Sequence, residues 1–114
     1  MIAALRFILY FDPMFKGGYT YILTNKHRTT LYTGVSSDII GRTYDHKTHR
    51  YKYSFSDRYN LEYLVYYEVF DGIEDAIARE KQIKKMRRAK KETLINAINP
   101  GWEDLYDSVL KDLL

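Results

Sequence analysis

The stretch from Tyr19 to His46 limits the possible folds of this chain more than any other. Tyr19 to Thr24 (YTYILT) is rich in β-branched and aromatic residues, with Tyr19, Tyr21 and Leu23 on one face of a strand and Thr20, Ile22 and Thr24 on the other. Asn25 to Thr30 is a polar turn, and Leu31 to Ser36 (LYTGVS) supplies the return strand of an antiparallel hairpin. Gly34 inside that strand predicts a bulge or a close backbone approach. Ser36, Ser37 or Asp38 then caps a helix running to about Thr48, on which Ile39, Arg42, Thr43 and His46 share a face.

Downstream segments read as completing that unit. Glu62 to Phe70 (EYLVYYEVF) is the clearest strand, and its apolar character on both faces predicts a central place in the sheet. Asp71-Gly72 turns the chain into a helix from about Ile73, with Ile73, Ala76, Ile77, Glu80 and Ile83 on one stripe. Glu80 therefore falls in the middle of a face that should be buried. A carboxylate there is costly unless a metal, an arginine or a hydrogen-bond network compensates it. Residues 88–98 form a further helix with Leu94, Ile95 and Ile98 inward, ended by Asn99-Pro100-Gly101. A terminal amphipathic helix is predicted from Trp102 to Leu113, through Trp102, Leu105, Tyr106, Val109 and Leu113. His49 to Leu61 (HRYKYSFSDRYNL) reads as a long polar, aromatic and basic loop, a length unusual unless functional or mobile.

The fold expected is α+β, a small three-stranded mixed sheet flanked by helices. Residues 17–114 form a single domain, large enough at this chain length for one modest core. Residues 1–16 are read as an N-terminal extension. Its apolar run from Ile2 to Phe11 is either an extra strand or sequence upstream of a native start at Met14. The second reading is preferred because the organised pattern begins at Tyr19. That run is too short to span a bilayer and lacks the basic start and small-residue cleavage site of a secretory signal. No cysteine is present, which excludes disulfides and thiolate metal sites and fits a cytoplasmic location.

The net charge is only +3, but residues 79–91 carry eight Lys or Arg against Glu80 alone. Such a segment is either a solvated helix face or a surface for a polyanion. The loop after His46 interleaves aromatics with Arg50, Lys52 and Arg58, a composition suited to stacking on bases and touching phosphates. Together with Lys84, Arg87 and Arg88 these are the candidate nucleic-acid contacts.

Gly-rich phosphate loops, HExxH and GxSxG motifs are absent, and His46 and His49 at i, i+3 are a weak, more often solvent-facing pair. What remains is an ordered series: Tyr19-Thr20-Tyr21, then Tyr32-Thr33-Gly34, then Arg42 with His46 four residues on, then Glu80 on an apolar helical stripe. That order resembles the GIY-YIG nuclease superfamily, in particular small stand-alone members similar to the N-terminal catalytic part of excinuclease C. Tyr19-Thr20-Tyr21 stands at the GIY triplet and Tyr32-Thr33-Gly34 at the YIG triplet. Val35 to Arg42 matches the run into the catalytic arginine, and Ala76 to Lys84 the helix of the metal-binding glutamate. The likeness covers roughly Tyr19 to Trp102. Both tyrosines survive, but the Gly of the first triplet and both Ile are replaced. Where many members carry an Asn beyond the glutamate, Glu92 stands here, with Asn96 or Asn99 as substitutes.

The resemblance implies Tyr21 as general base or water positioner with Tyr32 beside it, Arg42 on the scissile phosphate, His46 orienting the water or a tyrosine, and Glu80 holding one Mg2+ or Mn2+. It further implies DNA as partner, branched or damaged in form, a role in repair or recombination, and no organic cofactor. The set makes chemical sense. Phosphodiester hydrolysis needs an activated water, positive charge against the developing transition state and a cation near the leaving oxygen. A free tyrosine titrates near about 10, so Tyr21 acts as a base only beside positive charge or metal-bound water. Each residue also has a plainer role open to it: core tyrosines, an Arg42–Glu80 ion pair, a helix-face histidine. The alternative functions are a non-catalytic nucleic-acid-binding module on the same scaffold and a protein-interaction module.

Overall fold

The computed structural model describes residues 17–113, so the readings of residues 1–16 lie outside the described residues. The elements in order are β1 (Gly18–Thr24), β2 (Leu31–Ser36), α1 (Ile39–Lys47), α2 (Phe55–Tyr59), β3 (Tyr63–Phe70), α3 (Ile73–Lys84), α4 (Arg88–Ile98) and α5 (Tyr106–Leu113). Helices cover both faces of a three-stranded sheet, as expected. The pairing is antiparallel throughout rather than mixed, in the order β2-β1-β3.

β1, not β3, is the central strand, and all seven of its residues are buried. Its threonines can be buried because their hydroxyls find acceptors: Thr20 Oγ1 donates to the Ala76 carbonyl at 2.6 Å and Thr24 Oγ1 to that of Thr30 at 2.8 Å. The alternation read in β1 divides two cores. Tyr19, Tyr21 and Leu23 pack with Ile39 and Ile40 of α1 and Tyr106 and Val109 of α5. Ile22 packs on the other face with Val65 and Tyr66 of β3, Ile83 of α3 and Ile95 of α4. A register shift between Ile22 and Leu23 leaves Val65 as an extra residue in β3, so Val65 and Tyr66 both enter the second cluster.

Several details differ from the sequence reading. β3 looks apolar enough to be central because its outer edge is also covered, by residues 99–105 rather than by a strand. Leu105 donates its N–H to the Leu64 carbonyl at 2.7 Å, and Asp104 Oδ1 accepts from the Leu64 N–H at 3.1 Å. This strap delays the terminal helix to Tyr106, and Trp102 lies outside it in a left-handed conformation (φ 53°). Ile98 is 56 % exposed because the neighbouring Asn99 turns inward instead. Ile77 is exposed as well: α3 meets the sheet along the narrow seam of residues 73, 76, 80 and 83, leaving 77 on its flank. The loop after α1 contains the short helix α2, capped by Ser54, whose Oγ accepts the Asp57 N–H at 3.2 Å. Among the described residues no helix is long and apolar enough to cross a membrane.

Candidate active site

Gly34 explains how a buried tyrosine reaches the sheet edge. It pairs directly with Tyr21 across β1–β2, and a Cβ at residue 34 would stand 2.5 Å from both Cζ and the hydroxyl oxygen of Tyr21. The phenol therefore lies flat across the β2 backbone, through space that any other residue would fill. Gly34 marks a close approach and not a bulge, since the β1–β2 register is unbroken.

α1 brings in the next two residues. Ser36 Oγ accepts the Asp38 N–H at 2.9 Å, and Asp38, the N-cap, accepts from the Gly41 N–H at 2.9 Å. This tight entry starts the helix directly after β2. Ile39 and Thr43 turn into the core, which places exposed Arg42 and half-buried His46 one turn apart at the rim. Lys47 then pins the end of α1, donating to the Glu62 carbonyl at 2.7 Å and pairing with Asp104.

Tyr21, Tyr32 and His46 form an aromatic triangle: ring centroids lie 6.5 Å apart for Tyr21–Tyr32, 6.5 Å for Tyr21–His46 and 5.8 Å for Tyr32–His46. Burial, reinforced by Tyr32, holds the Tyr21 phenol well above the usual tyrosine range. The Arg42 guanidinium beside it works in the opposite direction, and Glu80 adds a smaller upward push. Tyr32, Arg42, His46 and Glu80, the other residues singled out in the sequence, are thus all within contact or electrostatic reach of Tyr21. The Tyr21 phenol is protonated at neutral pH unless further positive charge is brought to it. His46 is pushed down to about 4, first by burial and then by Arg42, with Asp45 opposing. Its Nε2 is buried without a hydrogen-bond partner, as are the hydroxyls of Thr33 on β2 and Thr43 on α1. Buried polar atoms are normally satisfied, so a neutral imidazole left open here suits a water or substrate oxygen.

Glu80 approaches from α3 on the other face. Its side chain is 15 % exposed, and its Oε2 lies 3.2 Å from Lys84 Nζ. Among the described residues no three His, Cys, Asp or Glu side chains gather into an all-protein metal cage. A single accessible carboxylate fits a hard, hydrated ion of the Mg2+ or Mn2+ kind, which takes few carboxylates and completes its shell with water and phosphate oxygens. Asn96 and Asn99 are engaged elsewhere: Asn96 accepts from Trp102 Nε1 at 2.6 Å, and Asn99 Nδ2 donates to the Val65 and Glu103 carbonyls at 3.0 and 2.8 Å. Glu92 pairs with Arg88 at 2.7 Å.

The expected nucleic-acid contacts separate into two groups. Arg50, Lys52, Arg58, Lys84 and Arg87 are exposed, although Arg50 also reaches Asp45 Oδ1 at 3.4 Å and Lys84 is paired with Glu80. Arg88 instead ties α4 to the hairpin turn, donating to the Thr29 and Arg28 carbonyls at 2.9 and 2.5 Å. His49 is not solvent-facing: it sits between Asp57 (Nδ1 to Oδ1, 2.8 Å) and Glu62 (Nε2 to Oε1, 3.5 Å). The residue that sequence reasoning missed is Phe55, whose ring packs 6.0 Å from that of Tyr32. The available signal was Ser54 followed by Asp57, a helix-capping pattern that places Phe55 at the first turn of a helix.

Comparison with known proteins follows the same residues. The GIY-YIG catalytic domain matches residues 17–93, which include both tyrosine triplets, Arg42, His46 and Glu80. A UPF0213 protein of Syntrophus aciditrophicus is 38 % identical over 77 residues, spanning 68 % of this chain and 87 % of its own length. A UPF0213 protein of Natronomonas pharaonis is 36 % identical over 77 residues, spanning 68 % of this chain and 88 % of its own length. The solution NMR structure of a UPF0213 protein from Bacillus halodurans is 30 % identical, with a TM-score of 0.49, covering 77 % of this chain and 92 % of that one. Matched by this domain over residues 17–93, the chain belongs to the GIY-YIG catalytic domain family.

Proposed function

We propose that this protein is a metal-dependent endonuclease that hydrolyses DNA phosphodiester bonds at the Tyr21–Tyr32–Arg42–His46–Glu80 site. The observation that carries the proposal is the gathering of Tyr32, Arg42 and His46 around the Tyr21 phenol, with Glu80 within electrostatic reach of it. Arg42 binds the scissile phosphate through two guanidinium donors, geometry that lysine lacks. The Tyr21 phenol, kept protonated by burial, fixes the attacking water by hydrogen bonding, and the open Nε2 of His46 completes the water's orientation. Glu80 would hold one Mg2+ or Mn2+, which supplies charge neutralisation at the phosphate and a lowered pKa for bound water. The exposed Arg50, Lys52, Arg58, Lys84 and Arg87 would follow the backbone of the substrate. Branched or damaged DNA, in repair or recombination, is the substrate form that the likeness to excinuclease C favours.

Nicking of supercoiled plasmid in Mg2+ or Mn2+ tests this reading, with Tyr21→Phe and Glu80→Ala alongside. The expected result is cation-dependent nicking that both variants abolish; nicking indifferent to Glu80→Ala overturns it. One observation favours a second reading. Lys84 already compensates Glu80, as it would in a scaffold that binds nucleic acid without cutting it. Salt-sensitive gel shifts with no cleavage in any cation would establish that reading instead.

A further inference from the structure

Three non-glycine residues adopt left-handed backbone within one short segment: His49 (φ 54°), Tyr53 (φ 64°) and Asn60 (φ 55°). Asparagine tolerates that region; a tyrosine does so only when its surroundings over-determine it. Here they do. Asp57 accepts the Tyr53 N–H at 2.8 Å and bonds His49 Nδ1 at 2.8 Å, while its own N–H is held by Ser54. The held loop turns aromatic rings outward: Tyr51, Tyr53, Phe55 and Tyr59 are 52, 88, 48 and 42 % exposed.

The patch is continuous with the candidate active site. Phe55 lies 6.0 Å from Tyr32 on one side and 4.6 Å from Tyr59 on the other, so flat apolar faces run from the site to the surface. Arg50, Lys52 and Arg58 border it, all exposed. Flat rings beside cations, next to a phosphate site, match a nucleotide better than an aliphatic or acidic peptide, which would use the cations and leave the rings idle.

We infer that Phe55, flanked by Tyr53 and Tyr59, stacks on the nucleobase adjacent to the phosphate held at Arg42, and that the strained loop exists to keep this platform in line with Tyr32. The inference rests on the nuclease reading and deepens it. A base can use the platform only where it is not already stacked on both sides, so the loop selects which nucleotide is presented for cleavage.

The test uses a synthetic DNA oligonucleotide whose cleavage position has been mapped with the parent protein, and copies of it with an abasic residue on either side of that position. Phe55→Ala should lower kcat/KM on the intact oligonucleotide about tenfold, the loss of one base–aromatic stack. The abasic substrate should lower the parent to the same level, the two changes together should cost no more than either alone, and Phe55→Trp should restore the parent rate. Losses that multiply would mean that Phe55 merely props Tyr32, and a Phe55→Ala rate equal to the parent's would equally overturn the inference while leaving the nuclease reading intact. A parent that cleaves no DNA would fell the nuclease reading and this one with it. Should Phe55→Ala lose its thermal unfolding transition, Tyr53→Ala carries the same cycle on the same criteria, because a side chain so exposed supports no core.

Discussion

The two edges of the sheet treat their polar groups in opposite ways. Along β3, residues 99–105 supply hydrogen-bond partners from within the protein. Asn99 uses both ends of its amide, on the Val65 and Glu103 carbonyls and the Glu103 N–H, and Asp104 Oδ1 accepts from Leu64 and Tyr106. Along β2, the Thr33 and Thr43 hydroxyls and His46 Nε2 are buried without partners, and Arg42 is turned outward. Among the described residues the remaining such atom, the Tyr106 hydroxyl, belongs to a residue of the cluster under α5. Completed polar groups hold a fold together; of the three unpartnered atoms here, the two threonine hydroxyls lie within the core and His46 Nε2 belongs to the residue one turn from exposed Arg42 at the rim.

Exchanging a residue at each edge should therefore give opposite results. Arg42→Ala is expected to lower nicking about a hundred- to a thousandfold while leaving the melting temperature within a degree or two. Asn99→Ala should do the reverse. It strands the buried Val65 carbonyl and removes three hydrogen bonds, costing about 2–4 kcal/mol in urea unfolding with little change in rate where the protein stays folded. Loss of activity in both, or of stability in both, would dissolve the distinction.

Gly34→Ala joins the two properties at one point. The added methyl meets the Tyr21 phenol, so the expected outcome is about 1–3 kcal/mol of overpacking together with a cleavage loss of about a hundredfold from misplacing that ring. Thermal melting and single-turnover nicking of the same preparation check both. A smaller effect is expected for His46. Its folded pKa lies below the ordinary histidine value, so the neutral form is the one folding favours. Stability from this group is complete above about pH 6.5 and declines as the pH falls from there towards about 4, by about 2 kcal/mol after allowance for partial exposure. His46→Gln should flatten that decline in urea midpoints measured between pH 7.5 and 4.5, and the parent's nicking rate should show no histidine inflection near pH 6.5. Smallest of all, Lys84→Gln frees the Glu80 carboxylate and should lower the half-saturating Mg2+ concentration about two- to fivefold.

The site edge was more legible in the sequence than the strap edge, for a physical reason. Tyr21, Tyr32, Arg42, His46 and Glu80 sit on regular elements whose periodicity fixes their faces, and the order of the motifs along the chain, which resembles that of the GIY-YIG superfamily, joined them into one set. The strap is made by exceptions to periodicity. Asn99 buries in place of Ile98, Trp102 takes a left-handed turn, and Asp104 supplies to β3 the acceptor that a neighbouring strand would have supplied. The same exceptions hid the central position of β1, because an edge covered by side-chain and backbone bonds reads as an interior one. In the 49–61 segment the aromatic and basic composition was visible, but the packing of Phe55 on Tyr32 depends on a five-residue helix too short to leave a periodic trace.

The most direct measurement compares two glutamates on adjacent helices. Single-turnover nicking of supercoiled plasmid should be followed across a Mg2+ titration for the parent, Glu80→Gln at the site edge and Glu92→Gln, whose partner is Arg88. Glu80 as the cation's ligand requires at least about a hundredfold loss for Glu80→Gln at every Mg2+ concentration and a rate within twofold of the parent for Glu92→Gln. Equal rates for the two variants, whether both intact or both lost, would contradict it.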